Sequence, residues 1–156
     1  MLDELQLQLK QTKPFRSRAE AAYLAIQVVA DEQRGKFNAL FKSKDLNGAQ
    51  YNVLRILRGA GPDGLSCREI GERMINRESD VTRMLDRLEA RELITRERQT
   101  DDRRVVLTFI TELGVDLLKE LDEPVDDLHL SLMGHLSEKE LESLLKLLGK
   151  ARSKQD

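Results

Sequence analysis

Apolar residues recur at helical spacing through most of the chain, and capping signatures divide that pattern into segments. Ser17–Glu20, Asn47–Gln50, Ser66–Glu69 and Ser137–Glu140 each place a Ser or Asn three residues ahead of a Glu or Gln. That spacing lets each side chain satisfy the other's orphan backbone donor at a helix start. The first helix is expected from 17 to about 43. Ala22, Ile26, Val29, Phe37, Leu40 and Phe41 lie roughly on one side of it, and Gly35 is its weak point. The second covers about 48–59, turns Tyr51, Leu54 and Leu57 inward, and stops at the breaker "GAGPDG". The third is short, 67–74, with Ile70 and Met74 inward, and "INRE" then makes a tight turn. A fourth helix is expected from Glu78 to Arg91, with Val81, Leu85 and Leu88 facing a core. At about 100° per residue, its opposite face holds Ser79, Arg83, Asp86 and Ala90, flanked by Thr82 and Arg87.

The period then changes. "LITRERQ" and "RVVLTFI" are β-rich runs on either side of "TDDR", which predicts a hairpin. A hairpin directly after a helix–turn–helix is the arrangement of a winged helix. Thr111 caps a long helix over 112–135, carrying Val115, Leu118, Leu121, Val125, Leu128 and Leu132, and Pro124 should bend it. A last helix over 138–150 carries Leu141, Leu144, Leu145 and Leu148. The expected fold is mainly α with a small β-hairpin wing. In this winged helix–turn–helix, the N- and C-terminal helices form a dimerisation region. Residues 1–45 would hold the N-terminal extension and first helix, 46–111 the winged helix–turn–helix, and 112–156 the C-terminal helices. Both ends are more apolar than one small core needs, and Leu2, Leu5 and Leu9 add a further stripe. A homodimer built from the chain ends explains this most economically. A monomer with a larger helical layer is the alternative.

Composition narrows the class. The chain has 156 residues, 40% hydrophobic and 35% charged, with 4% aromatic and no Trp, so leucine must carry the core. No stretch approaches the roughly 20 apolar residues of a membrane span, and "MLDELQLQLK" does not read as a signal peptide. The single cysteine, Cys67, cannot form an internal disulfide, which points to a reducing cytoplasm. Net charge is only −2, but its distribution is uneven: all ten basic residues between 66 and 104 are arginine. Arginine meets phosphates and guanine edges in a bidentate way that lysine cannot. A salt-bridged helical surface would use the same composition. No Gly-rich phosphate loop, nucleophile elbow or metal cluster is present, so neither an enzyme nor a cofactor is expected. His129 and His135 share no helix face and have no cysteine partner. Cys67 stands in the first turn of a helix, beside Arg68, and is expected to be a partly buried structural residue.

Three stretches, "LNGAQYNVLRIL", "TRMLDRLEARELITRE" and "DDRRVVLTFITELG", together resemble the multiple antibiotic resistance regulator (MarR) family of winged helix–turn–helix repressors. The resemblance covers about residues 20–150. It implies a ligand-responsive transcriptional repressor that binds pseudo-palindromic DNA as a homodimer. Matched by motif, Thr82 and Arg83 belong to the recognition helix, and Asp102 with Arg104 forms the wing pair; Arg103 falls where the family varies. The DNA-contacting set is therefore expected to be Arg77, Ser79, Thr82, Arg83, Arg87, Asp102, Arg103 and Arg104. Asp102 would hold Arg104 in a fixed pose for the narrow minor groove, where negative potential attracts a guanidinium. The family's oxidant sensors carry their cysteine in the first helix, where this chain has none. Tyr23 and Tyr51 lie on helices that border the family's ligand cleft, so the resemblance implies a small phenolic or other amphipathic ligand as a partner for them. The alternative function is a winged-helix protein–protein module that has given up DNA.

Overall fold

The computed structural model describes residues 2–75, 80–99 and 105–152. The chain forms two compact units, residues 1–118 and 119–156. In the first, the order is α1 (Leu2–Gln8), α2 (Arg18–Lys42), α3 (Gly48–Ala60), β1 (Leu65–Ser66), α4 (Cys67–Arg73), α5 (Val81–Glu89), β2 (Ile94–Arg98) and β3 (Val106–Ile110). Helix α6 (Glu112–Met133) begins in the first unit and ends in the second, where α7 (Glu138–Arg152) follows. The fold is the expected one: mostly helical, with a small antiparallel sheet.

The caps explain where the helices start. Asn47 Oδ1 accepts from Gln50 N at 2.9 Å while Gln50 Oε1 accepts from Asn47 N at 3.0 Å. Ser66 and Glu69 make the same reciprocal pair at the start of α4. Ser17 accepts from Glu20 N, but the Glu20 carboxylate reaches one residue further back, to Arg16 N. At α7 the Glu140 carboxylate accepts from Ser137 N at 2.8 Å.

The core of the first unit lies where α3, α4, α5 and the sheet meet. Val53, Leu54, Leu57, Ile70, Leu85, Leu88 and Ile94 are almost fully buried. Each such side chain contributes about 1.5–3 kcal/mol through burial. The end of α2 joins this core through aromatic stacking: the Phe41 and Tyr51 ring centroids lie 4.1 Å apart. The rest of the expected α2 stripe is less buried, since Ile26 and Val29 are exposed.

The sheet has three strands in the order β1-β3-β2, all antiparallel. The hairpin is in register from Ile94↔Ile110 to Arg98↔Val106, and Gln99 N donates to Val105 O beyond it. Strand β1 is additional to the sequence reading, because two residues are too few to show alternation. It runs against β3 through Leu65↔Thr108. Gly64, just before it, has φ +62°, and an added Cβ would lie 2.5 Å from the Phe109 ring. Only glycine fits there.

Two expectations need correcting. The helix expected over 78–91 is shorter, because Asp80 is its N-cap, with non-helical φ −138° and ψ 61°, and Ala90 is its C-cap. Its buried face is Met84, Leu85 and Leu88, while Val81, expected inward, is only half-buried. Starting the helix at Val81 leaves that side chain in the first turn, at the rim of the core.

In the second unit, α6 continues through Pro124 as one helix. Its last turns and α7 enclose a cleft of about 450 Å³ lined by Met133, Leu141, Leu144, Leu145 and Leu148. Leu130, Leu145 and Leu147 remain well exposed. Among the described residues, no helix is long and apolar enough to cross a membrane.

Candidate nucleic-acid interface

Helices α4 and α5 form the helix–turn–helix, and its exposed side is built from short-range bonds. Asp80 Oδ1 accepts from Arg83 N at 3.0 Å, closing the first turn of α5. The other carboxylate oxygen pairs with Arg83 Nε at 3.2 Å. The same aspartate therefore caps the helix, complements its positive end and holds the Arg83 side chain, which is 79% exposed. Thr82 and Arg87 are also exposed. Cys67, half-buried at the start of α4, places Sγ 3.8 Å from Thr82 Oγ1, so it bridges the two helices.

Beside this face, α2, the start of α3 and α5 surround a cleft of about 430 Å³. Arg34, Asn38, Asn47, Asp80, Arg83 and Arg87 line it. Arg34 is paired with Asp31 at 3.7 Å and Arg83 with Asp80 at 3.2 Å, so Arg87 gives the recess its excess positive charge.

One side chain of β2 engages two carboxylates of α5. Arg96 on β2 donates from Nε to Glu89 Oε2 at 2.9 Å and from Nη2 to Asp86 Oδ1 at 2.7 Å. Hydrogen bonding to Glu89, then to Asp86, raises the guanidinium pKa further above its already high ordinary value. Asp86, expected on the free face of α5, is thus engaged by the strand.

Two further links fix the end of α5. Arg91 donates from Nη1 to Asp45 O at 2.6 Å and from Nη2 to Lys44 O at 3.1 Å, at the turn that follows α2. Thr111 Oγ1 donates to Glu92 O at 2.7 Å and accepts from Gly114 N at 3.1 Å, so it caps α6 while holding the turn after α5.

Thr82, Arg83 and Arg87 thus share one exposed helical face, as the spacing predicts. Arg77, Ser79, Asp102, Arg103 and Arg104 lie outside the described residues. Tyr51 is buried against Phe41, whereas Tyr23 is 62% exposed on α2, and neither lines the two clefts described above. Among the described residues, no group of three or more His, Cys, Asp or Glu could hold a metal ion.

Asp80, Arg91 and Arg96 are not singled out by the sequence pattern. Asp80 carries a local signal, an N-cap residue three positions before Arg83. Arg96 carries a weaker one: it follows Ile94 by two in a strand, and so shares the face of a buried residue. Arg91 has no local signal, because its acceptors are more than 40 residues away.

Comparison with known proteins places this geometry. Residues 46–106 match the model of the MarR family. The transcriptional regulator MhqR of Bacillus subtilis is 31% identical over 107 residues, covering 66% of this chain and 70% of MhqR. The crystal structure of a MarR transcription factor from Planctomyces limnophilus is 37% identical, with a TM-score of 0.68, and the match covers 86% of this chain and 98% of that one. The chain belongs to the MarR family. Another MarR structure, a mutant from E. coli complexed with operator DNA, matches with a TM-score of 0.74 at 28% identity, over 83% of this chain and 91% of that one. The MarR family is one of transcription regulators. The α4–α5 pair and the β2–β3 hairpin are this MarR chain's helix–turn–helix and wing.

Proposed function

We propose that this MarR-family chain is a transcriptional repressor that binds pseudo-palindromic operator DNA as a homodimer and is released by a small amphipathic ligand. The observation that carries the reading is α5. Met84, Leu85 and Leu88 anchor one side of it in the core, while Thr82, Arg83 and Arg87 stand exposed on the other. A rigid helix with a cationic, sterically open face is what entry into a major groove requires. Arg77 and Ser79, just before it, extend the same contact. At the wing, Asp102 orients Arg104 for the minor groove, and Arg103 meets the phosphate backbone.

Dimerisation is supported by apolar side chains that each unit leaves in solvent, among them Leu7, Ile26 and Val29 in the first and Leu130, Leu145 and Leu147 in the second. A second copy that covers them would bring two recognition helices to one duplex. Support for the ligand is family likeness together with the exposure of Tyr23 on α2.

Selection of bound DNA from random duplexes tests the reading. The expected product is a two-fold site whose half-site centres lie about 34–36 Å apart, roughly 10–10.5 base pairs. Affinity should fall steeply with salt, by nearly one log–log unit per neutralised phosphate. If no duplex is enriched, the chain is a winged-helix module for protein partners instead. Phenolic carboxylates should weaken binding to the selected site, and the site should weaken their binding by the same factor. A panel that changes neither removes the ligand from the reading.

A further inference from the structure

We infer that Arg96 is the positioning residue that locks the wing to the recognition helix, so that both elements meet one duplex at a set angle. This rests on the DNA-binding reading above. Asp86 and Glu89 lie three residues apart on α5, one helical turn, and their carboxylates converge on a single guanidinium from β2. Arg96 is 25% exposed, against 55% for Asp86 and 38% for Glu89, so the cation is the most enclosed member of the trio. Its position in the strand is also set: Arg96 pairs with the buried Thr108 in the register of β2 with β3. A planar guanidinium bound through Nε and Nη2 to two acceptors leaves the strand little freedom to rotate against the helix. A lysine in its place could neutralise the carboxylates but could not fix their direction.

The trio makes little sense as simple charge supply to DNA. It places two carboxylates on the helix that carries Arg83 and Arg87, and spends a cation on neutralising them. A protein selected only for phosphate affinity would gain by omitting both acids. Their presence is explained if the gain is geometric. The helix and the wing read different grooves, and a variable angle between them would let each bind without the other, which weakens discrimination between sites more than it weakens overall affinity.

The test uses the full chain and compares Arg96→Gln, Arg96→Lys and the double variant Asp86→Asn, Glu89→Gln. The readout is the ratio of affinities for the selected site and for a scrambled duplex, together with residual dipolar couplings of the free protein across α5, β2 and β3. The double variant removes two negative charges, so electrostatics alone predicts tighter binding to every duplex with an unchanged ratio. The brace predicts instead that the ratio falls about tenfold in the double variant and in Arg96→Gln, and that Arg96→Lys restores only part of it. The couplings should report one hairpin orientation in the wild type and an averaged one in both variants. A ratio within about twofold of wild type in the double variant, or couplings unchanged in both variants, overturns the inference. If the wild type enriches no duplex, the DNA-binding reading fails, and the couplings still decide whether Arg96 fixes the hairpin.

Discussion

Asp80 joins folding and recognition in one side chain, and two substitutions separate the roles. Asp80→Asn keeps an acceptor for Arg83 N, and Asn ranks with Asp as an N-cap, so α5 should still start at Val81. What it loses is charge at a helix N-terminus, about 0.3–1 kcal/mol at an exposed site. The Asp80–Arg83 pair adds little to that, since both side chains are largely in water, 48% and 79% exposed. Asp80→Ala also loses the cap, about 1 kcal/mol more. DNA binding should move the other way. A carboxylate about 7 Å from a phosphate in a water-like dielectric repels it by roughly 0.6 kcal/mol, a factor of about three in affinity. Asp80→Asn should therefore bind scrambled duplexes about threefold more tightly at low salt, with the gain fading as the Debye length shrinks toward about 8 Å near physiological ionic strength. Chemical denaturation gives the stability order, and fluorescence anisotropy across a salt series gives the affinities. If Asp80→Asn folds as expected yet binds every duplex more weakly than wild type, Asp80 is a DNA contact in its own right and its reading as the counter-ion of Arg83 is wrong.

Arg83→Ala should lower DNA affinity by about 1–3 kcal/mol and relax base preference inside the half-site. Its effect on stability should stay within about 0.5 kcal/mol, since the side chain is 79% exposed. Arg104→Ala should instead lose preference for narrow A/T-rich flanks, with Asp102→Ala a weaker version of the same change; selected sites for the three variants check this. Cys67→Ser should fold and bind DNA much as wild type does, because a hydroxyl can take the thiol's place toward Thr82. Release of wild type but not the variant by mild peroxide would overturn that. The Glu69 carboxyl is held below the ordinary glutamate value, chiefly by the Ser66 side-chain hydrogen bond. A carboxyl whose pKa is lower folded than unfolded stabilises the fold at neutral pH and loses that contribution as pH falls through the folded value. Thermal melts in that acid window should therefore fall more steeply for wild type than for Glu69→Gln, and parallel curves would refute the assignment.

The starts of α3 and α4 were the most legible part of the chain, because a cap is a local contract between residues three apart. Asn47–Gln50 and Ser66–Glu69 fold as the spacing predicts. The outward position of Thr82, Arg83 and Arg87 on α5 was equally readable, since a buried stripe on a helix determines its opposite side. Where the helix began was not, because Asp80 fits a first-turn residue as well as an N-cap until its backbone angles are known. Strand β1 was hidden for a different reason. It is held by Gly64 and by pairing with β3, more than 40 residues away, and has no periodicity of its own. The Arg96 trio and the Arg91 link were out of reach too, as both join residues that only the tertiary fold brings together. Charged residues in a helix read as solvated until a strand supplies the partner.

The Arg91 link has a genetic consequence. Its acceptors are main-chain carbonyls of Lys44 and Asp45, which every amino acid possesses. Side-chain changes at 44 and 45 leave the acceptors in place as long as the turn keeps its path, whereas at 91 loss of the guanidinium breaks both bonds at once. The mutational target of this joint is thus lopsided: one codon carries the donors, and the other side must keep only the path of the turn, which at Asp45 (φ +52°) favours Asp, Asn or Gly. Selection acting on the α2 side for a new ligand or a new partner can alter the side chains of that turn and still hold the end of the recognition helix where it is.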